Sequence, residues 1–113
     1  MDIRYERQLK RGVLEIIVLR MIAREPAYGY QLLSDMDRES GGLFKIKEGT
    51  LYPILYRLED DGMIQSEWSV PKDREVSKKY YVITPQGRET LGELIRLWTA
   101  FDGAVSRMLE GQL

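Results

Sequence analysis

Apolar residues recur at three- and four-residue steps from about Arg4 to Ala23, at Leu9, Val13, Ile16, Ile17 and Met21, with Lys10, Glu15, Arg20 and Arg24 opposite. That period predicts a helix. Pro26 disfavours helical geometry at Glu25 and so ends it. A second helix fits Tyr28 to Ser40, with Tyr28, Leu32, Leu33 and Met36 as its buried stripe and Gly41-Gly42 as its stop. Leu43 to Ile46 then reads as a short extended piece. Within Lys47 to Asp61, Leu51, Ile54, Leu55 and Leu58 share one face of a third helix that Gly62 closes. Two starts compete for it. Thr50 as N-cap would put Pro53 in the first turn, where its missing N–H costs nothing, whereas a start near Lys47 would leave Pro53 as a kink.

Ser66 to Val70 and Lys79 to Ile83 are strand-like, and the polar bridge from Pro71 to Ser77 makes them a β-hairpin. Thr84-Pro85 is a helix-start signature, Thr as N-cap and Pro at the first helical position, and nothing interrupts the pattern until about Leu109. In this last helix Leu91, Trp98 and Val105 are spaced by seven, as are Leu94, Phe101 and Met108, which gives a heptad seam. Such a seam buries itself either on the body of its own fold or on a partner. Ile95, Leu97 and Leu109 widen the apolar surface beyond what a small domain covers, so a second subunit is expected. Gly92 and Gly103 would tolerate a bend. The natural division is residues 1–83 and residues 84–113, two parts of one compact unit.

Composition narrows the function. The chain has 113 residues and neither Cys nor His, which excludes thiol catalysis, zinc ribbons and every nucleophilic scheme that uses His. An enzyme is not expected, nor is a cofactor or metal. No apolar run is long enough to span a membrane and none reads as a signal peptide, so a cytoplasmic protein without a membrane partner is expected. The net charge of -1 argues against indiscriminate polyanion binding, so any such surface must be local. Between Pro71 and Lys79 the basic Lys72, Arg74, Lys78 and Lys79 outnumber Asp73 and Glu75. Glu59, Asp60 and Asp61 form an acidic run that reads as a solvated helix end.

Three helices, a basic-tipped hairpin and a long closing helix make a mainly α chain with a β-hairpin wing, the order of a winged helix-turn-helix plus a C-terminal dimerisation helix. In that order the third helix enters the major groove of double-stranded DNA and the hairpin follows the backbone. With its leucines inward, the third helix turns Gly49, Tyr52, Pro53, Tyr56 and Arg57 outward, with Thr50 at the edge. Gly49 allows close backbone approach, amides at the helix start point at phosphate, Thr and Tyr hydroxyls can hydrogen-bond it, and Arg57 can pair with it. Lys45 and Lys47 add positive charge just before the helix, and Lys72, Arg74 and Lys78 on the hairpin suit phosphate better than base edges. A winged-helix module that binds protein and not DNA is the alternative.

Tyr28-Gly29-Tyr30-Gln31-Leu32, the block Glu48 to Glu59 with Asp61-Gly62-Met63-Ile64 after it, Lys79-Tyr80-Tyr81 and Thr84-Pro85-Gln86-Gly87 together resemble the PadR family of transcriptional regulators. The resemblance runs from about Arg11 to Leu109. It implies a homodimeric DNA-binding regulator, usually a repressor, whose C-terminal helix meets the N-terminal helix of the other subunit. The single helix after the hairpin resembles the small subfamily. In its multidrug-sensing members a planar aromatic or cationic effector stacks on a Trp of that helix, and Trp98 stands at a matching place, with Phe101 and Asp102 on the same surface. The surrounding seam departs from those members, so their ligand chemistry does not carry over.

Overall fold

The computed structural model describes residues 3–71 and 76–111. It contains α1 (Ile3–Arg24), β1 (Ala27–Tyr28), α2 (Gly29–Glu39), α3 (Glu48–Asp60), β2 (Ile64–Trp68), β3 (Lys79–Ile83) and α4 (Pro85–Leu109). The strands form one antiparallel sheet in the order β1-β3-β2. Lys72 and Arg74, assigned above to the hairpin tip, lie outside the described residues.

α1 runs where its period predicts, but it buries a different face. Leu14, Val18, Leu19, Met21 and Ile22 enter the core, Val13, Ile16 and Ile17 are half-buried, and Leu9 is 81% exposed. The sequence offers two apolar stripes on this helix, and only packing against the body selects one. Leu9 lies at the exposed N-terminal end of the other stripe, beyond the half-buried Val13, Ile16 and Ile17.

α2 begins one residue after Tyr28, whose backbone N–H donates to the Gln31 side chain at 3.0 Å. Tyr28 itself belongs to the two-residue strand β1, which pairs Ala27 with Tyr81 and Tyr28 with Tyr80. The sequence reading contains no such strand, because two residues carry no period. After α2 the chain turns through Gly41 and Gly42, at φ of 63° and 88°, which favour glycine. Of the expected extended piece, Leu43 and Phe44 are instead part of this turn, held where the Phe44 N–H donates to Ser40 Oγ at 2.8 Å.

α3 takes the earlier of its two starts. Lys47 is its N-cap, the Thr50 N–H already donates to the Lys47 carbonyl at 3.0 Å, and Pro53 lies inside the helix. All four leucine and isoleucine positions expected inward are buried. Together with Val18, Leu19, Ile22, Leu32, Ile64 and Tyr81 they form the core between the helices and the sheet.

Thr84 joins the two parts of the fold. Its Oγ1 accepts from the Gly87 N–H at 3.0 Å, capping α4 as the sequence predicts, and donates to the Gly62 carbonyl at 2.7 Å. Gly87 lies against the Met63 carbonyl and Ile83, so closely that a Cβ would fall inside their van der Waals radii. This glycine marks a close approach and not a hinge. The first turns of α4 pack on α1 through buried Leu91 and half-buried Leu94. Beyond them the helix projects, and the molecule measures 63 × 31 × 21 Å.

Candidate nucleic-acid interface

On α3 the exposed ridge is Gly49, Pro53 and Tyr56, with Thr50 and Arg57 exposed along the edge nearer α1. Tyr52 lies on the other edge and is half-buried. Its ring covers Gly29 at the start of α2, where a Cβ would overlap the hydroxyl and lie 2.9 Å from Cζ. The glycine of the Gly29-Tyr30 pair is therefore small because Tyr52 occupies its side. Tyr52 and Tyr56 remain neighbours, ring centroids 6.2 Å apart. Arg57 is engaged: its Nε and Nη2 donate to Glu15 Oε1 of α1 at 2.9 and 2.6 Å. Lys45 and Lys47 are exposed on the connection that leads into α3.

The acidic run at the end of α3 divides. Asp60 and Asp61 are solvated as expected, but Glu59 is half-buried and accepts from the Ser66 N–H at 3.1 Å and the Ser66 hydroxyl at 2.5 Å. It fastens α3 to β2.

The base of the hairpin carries an aromatic platform that the sequence reading missed. Tyr28 and Tyr30 stack with centroids 5.9 Å apart and planes within 8°, and Tyr80 meets Tyr28 edge-on at 5.9 Å. Lys78 Nζ stands 5.9 Å from the Tyr28 ring centroid and 5.7 Å from that of Tyr30. Cation–π attraction thus holds one hairpin cation beside the start of α2. The signal was the i, i+2 spacing of Tyr28 and Tyr30, but only the β1–β3 register brings Tyr80 to them. Tyr80 donates to Glu67 Oε2 at 2.8 Å, and this hydrogen bond raises its pKa and keeps it neutral.

Along α4 the seam is open. Trp98, Phe101, Val105 and Met108 are exposed at 40, 59, 37 and 83%, and Trp98 stacks on Phe101 with centroids 6.2 Å apart. Trp98 and Ile95 also wall an apolar groove of about 370 Å³ together with Val13, Ile17, Met21 and Phe44. Asp102 is exposed one position beyond Phe101. Among the described residues no cluster of carboxylates could hold a metal, and no helix is long and apolar enough to cross a membrane.

Residues 18–93 match the model of the transcriptional regulator PadR-like family. The chain belongs to that family. Among the relatives of this PadR-like chain, a transcriptional regulator of Mycobacterium tuberculosis is 33% identical over 87 residues, 77% of each protein. The negative transcriptional regulator PadR of Bacillus subtilis is 29% identical over 85 residues, 74% of this chain and 46% of its own length. A solved PadR family transcriptional regulator from Eggerthella lenta is 35% identical with a TM-score of 0.80, over 93% of this chain and 88% of that one. The PadR-like chain is a winged-helix transcriptional regulator, and the proteins it resembles are regulators and not enzymes.

Proposed function

We propose that the chain represses transcription as a homodimer that holds two copies of α3 in successive major grooves of a palindromic promoter site. The observation that carries this reading is the exposed face of the N-terminal half of α3, formed by Gly49, Thr50, Pro53 and Tyr56. It stands between the lysines of its leading connection and the Lys78 platform at the base of the wing. Thr50, Tyr56 and the amides at the start of α3 then meet DNA, Lys45, Lys47, Lys72, Arg74 and Lys78 neutralise phosphate, and Arg57 does so when it leaves Glu15. Tyr52 supports the site by bracing α3 against Gly29 at the start of α2. Repression is favoured by the negative regulator among the relatives.

Residues 1–83 act as the reading head and residues 84–113 as the dimerisation helix. The open part of the seam, Trp98, Phe101, Val105 and Met108, supports the homodimer, since an isolated chain would leave this apolar stripe in water, whereas Leu91 and Leu94 at its start are buried and half-buried on α1 of the same chain. The exposed stripe of α1 through Leu9 gives the partner helix its second wall. Two-fold symmetry sets the α3 helices about one turn of DNA apart, roughly 34–36 Å. The stacked Trp98 and Phe101, with Asp102 beside them, suit a planar aromatic or cationic effector that prefers a different subunit spacing.

Selection of bound duplexes from a random pool by the purified protein tests this reading. An inverted repeat with half-sites about one turn apart is the expected outcome. Failure to enrich any duplex, or a site without two-fold symmetry, would contradict it.

A further inference from the structure

The basic surface already assigned to α3 and its leading connection extends onto α1. The first turns of α1 overhang the body, and a groove of about 500 Å³ runs between them and the α1-side edge of α3. Arg7, Lys10 and Arg11 of α1 line it together with Lys45, Lys47 and Arg57, against a single lining carboxylate, Glu6. Glu6 pairs with Lys10 at 3.1 Å and Glu15 with Arg57. Among the described residues Arg7, Arg11, Lys45 and Lys47 have no carboxylate partner. This concentration is notable in a chain whose net charge is -1.

We propose that the overhang of α1 is an arm that follows the phosphate backbone of the same duplex on the flank outside each half-site, an inference that rests on the DNA-binding reading above. Thr50 and Arg57 belong both to the groove and to the exposed edge of α3, so the two surfaces are continuous. The overhang has two chemically distinct sides. Tyr5 and Leu9 are exposed and apolar, whereas Arg7, Lys10 and Arg11 line the groove. Among the described residues no unpartnered polar side chain is buried in it, so nothing there is built to enclose one small anion. Spread, long-stemmed cations suit an extended polyanion, where they add salt-dependent affinity and no base readout.

The test uses the full chain and two duplexes that carry the selected inverted repeat. One ends at the outer edges of the half-sites, and the other extends about five base pairs further on each side, roughly the span of α1 from Ile3 to Leu14 at about 1.5 Å per residue. The wild type binds the longer duplex more tightly. Arg7→Gln with Arg11→Gln removes that gain and leaves the short duplex bound as before. On the long duplex its plot of log affinity against log salt is shallower by about 0.9 per lost contact, roughly 3 to 4 for two subunits. Arg7→Lys with Arg11→Lys restores the gain. A wild type indifferent to the flanks, or a double Gln variant that keeps the gain or weakens both duplexes equally, overturns the arm while leaving the α3 reading intact. A wild type that binds neither duplex overturns both.

Discussion

Arg57 of α3 is tied to Glu15 of α1 by two hydrogen bonds to one carboxylate oxygen, at 2.9 Å from Nε and 2.6 Å from Nη2, across 42 residues of chain. The arginine that the sequence assigns to phosphate thus already has an anionic partner. Both side chains are roughly half exposed, and an ion pair so hydrated contributes no more than about 1 kcal/mol to stability. Glu15→Gln should therefore cost at most about 1 kcal/mol in urea unfolding, and it should tighten DNA binding by releasing Arg57 for phosphate. Weaker DNA binding, equal to that of Arg57→Gln, would show that Glu15 orients Arg57 for DNA and does not compete for it.

Phe101→Glu places a charge on the open seam without touching the core. The variant should sediment as a 13.2 kDa monomer, because burying an unpaired carboxylate across an apolar interface costs more than the seam returns. The chain has two tryptophans, so Trp68→Phe isolates Trp98. In that background Trp98 emission should move to longer wavelength when Phe101→Glu is added. An undisturbed dimer would remove the seam assignment.

Gly87→Ala directs a methyl group at the Met63 carbonyl and to 2.8 Å from Ile83 Cγ1. Backbone carbonyls yield little, so the expected loss is about 2 kcal/mol, a fall in Tm of roughly 10 °C. An unchanged Tm would mean that α4 can shift on the sheet, and Gly87 would become the hinge that the structure argues against.

Tyr81 is 2% exposed, and burial pushes its phenol from 10.0 up to about 12. The unfolded chain ionises first. The stability held by the neutral phenol is thus complete below pH 10 and is lost as pH rises through 12. Denaturant midpoints measured between pH 9 and 12 should fall with pH, and Tyr81→Phe should flatten that fall. Equal slopes for both proteins would contradict the burial effect.

The parts of the fold legible in the sequence are those with a long period or a strong stop. Leu51, Ile54, Leu55 and Leu58, the Thr84-Pro85 start and the second hairpin flank, Lys79 to Ile83, stand where their pattern puts them, whereas the first flank begins two residues earlier than Ser66, at Ile64, and ends at Trp68. What failed depended on contacts between distant residues. The two stripes of α1 are equally apolar, and only packing on the body buries Leu14 and Val18 and leaves Leu9 in water. β1 exists because β3 supplies its partner, and the same register assembles the Tyr28, Tyr30 and Tyr80 platform. At the site, Gly49, Thr50 and Tyr56 were readable from the helical wheel, whereas the support of Tyr52 on Gly29 and the Glu15 anchor of Arg57 required the fold.

The central claim is that two chains grip one duplex through α3. A fluorescence-anisotropy titration of the selected duplex, at several salt concentrations and with wild type beside Tyr56→Ala, tests it most directly. The account predicts saturation at two chains per duplex and an affinity that falls linearly on logarithmic axes as salt rises. It also predicts Tyr56→Ala to be at least about fivefold weaker while still dimeric, since a lost base-edge or phosphate contact is worth about 1 to 3 kcal/mol. Saturation at one chain per duplex, or a Tyr56→Ala protein that binds as tightly as wild type, would contradict it.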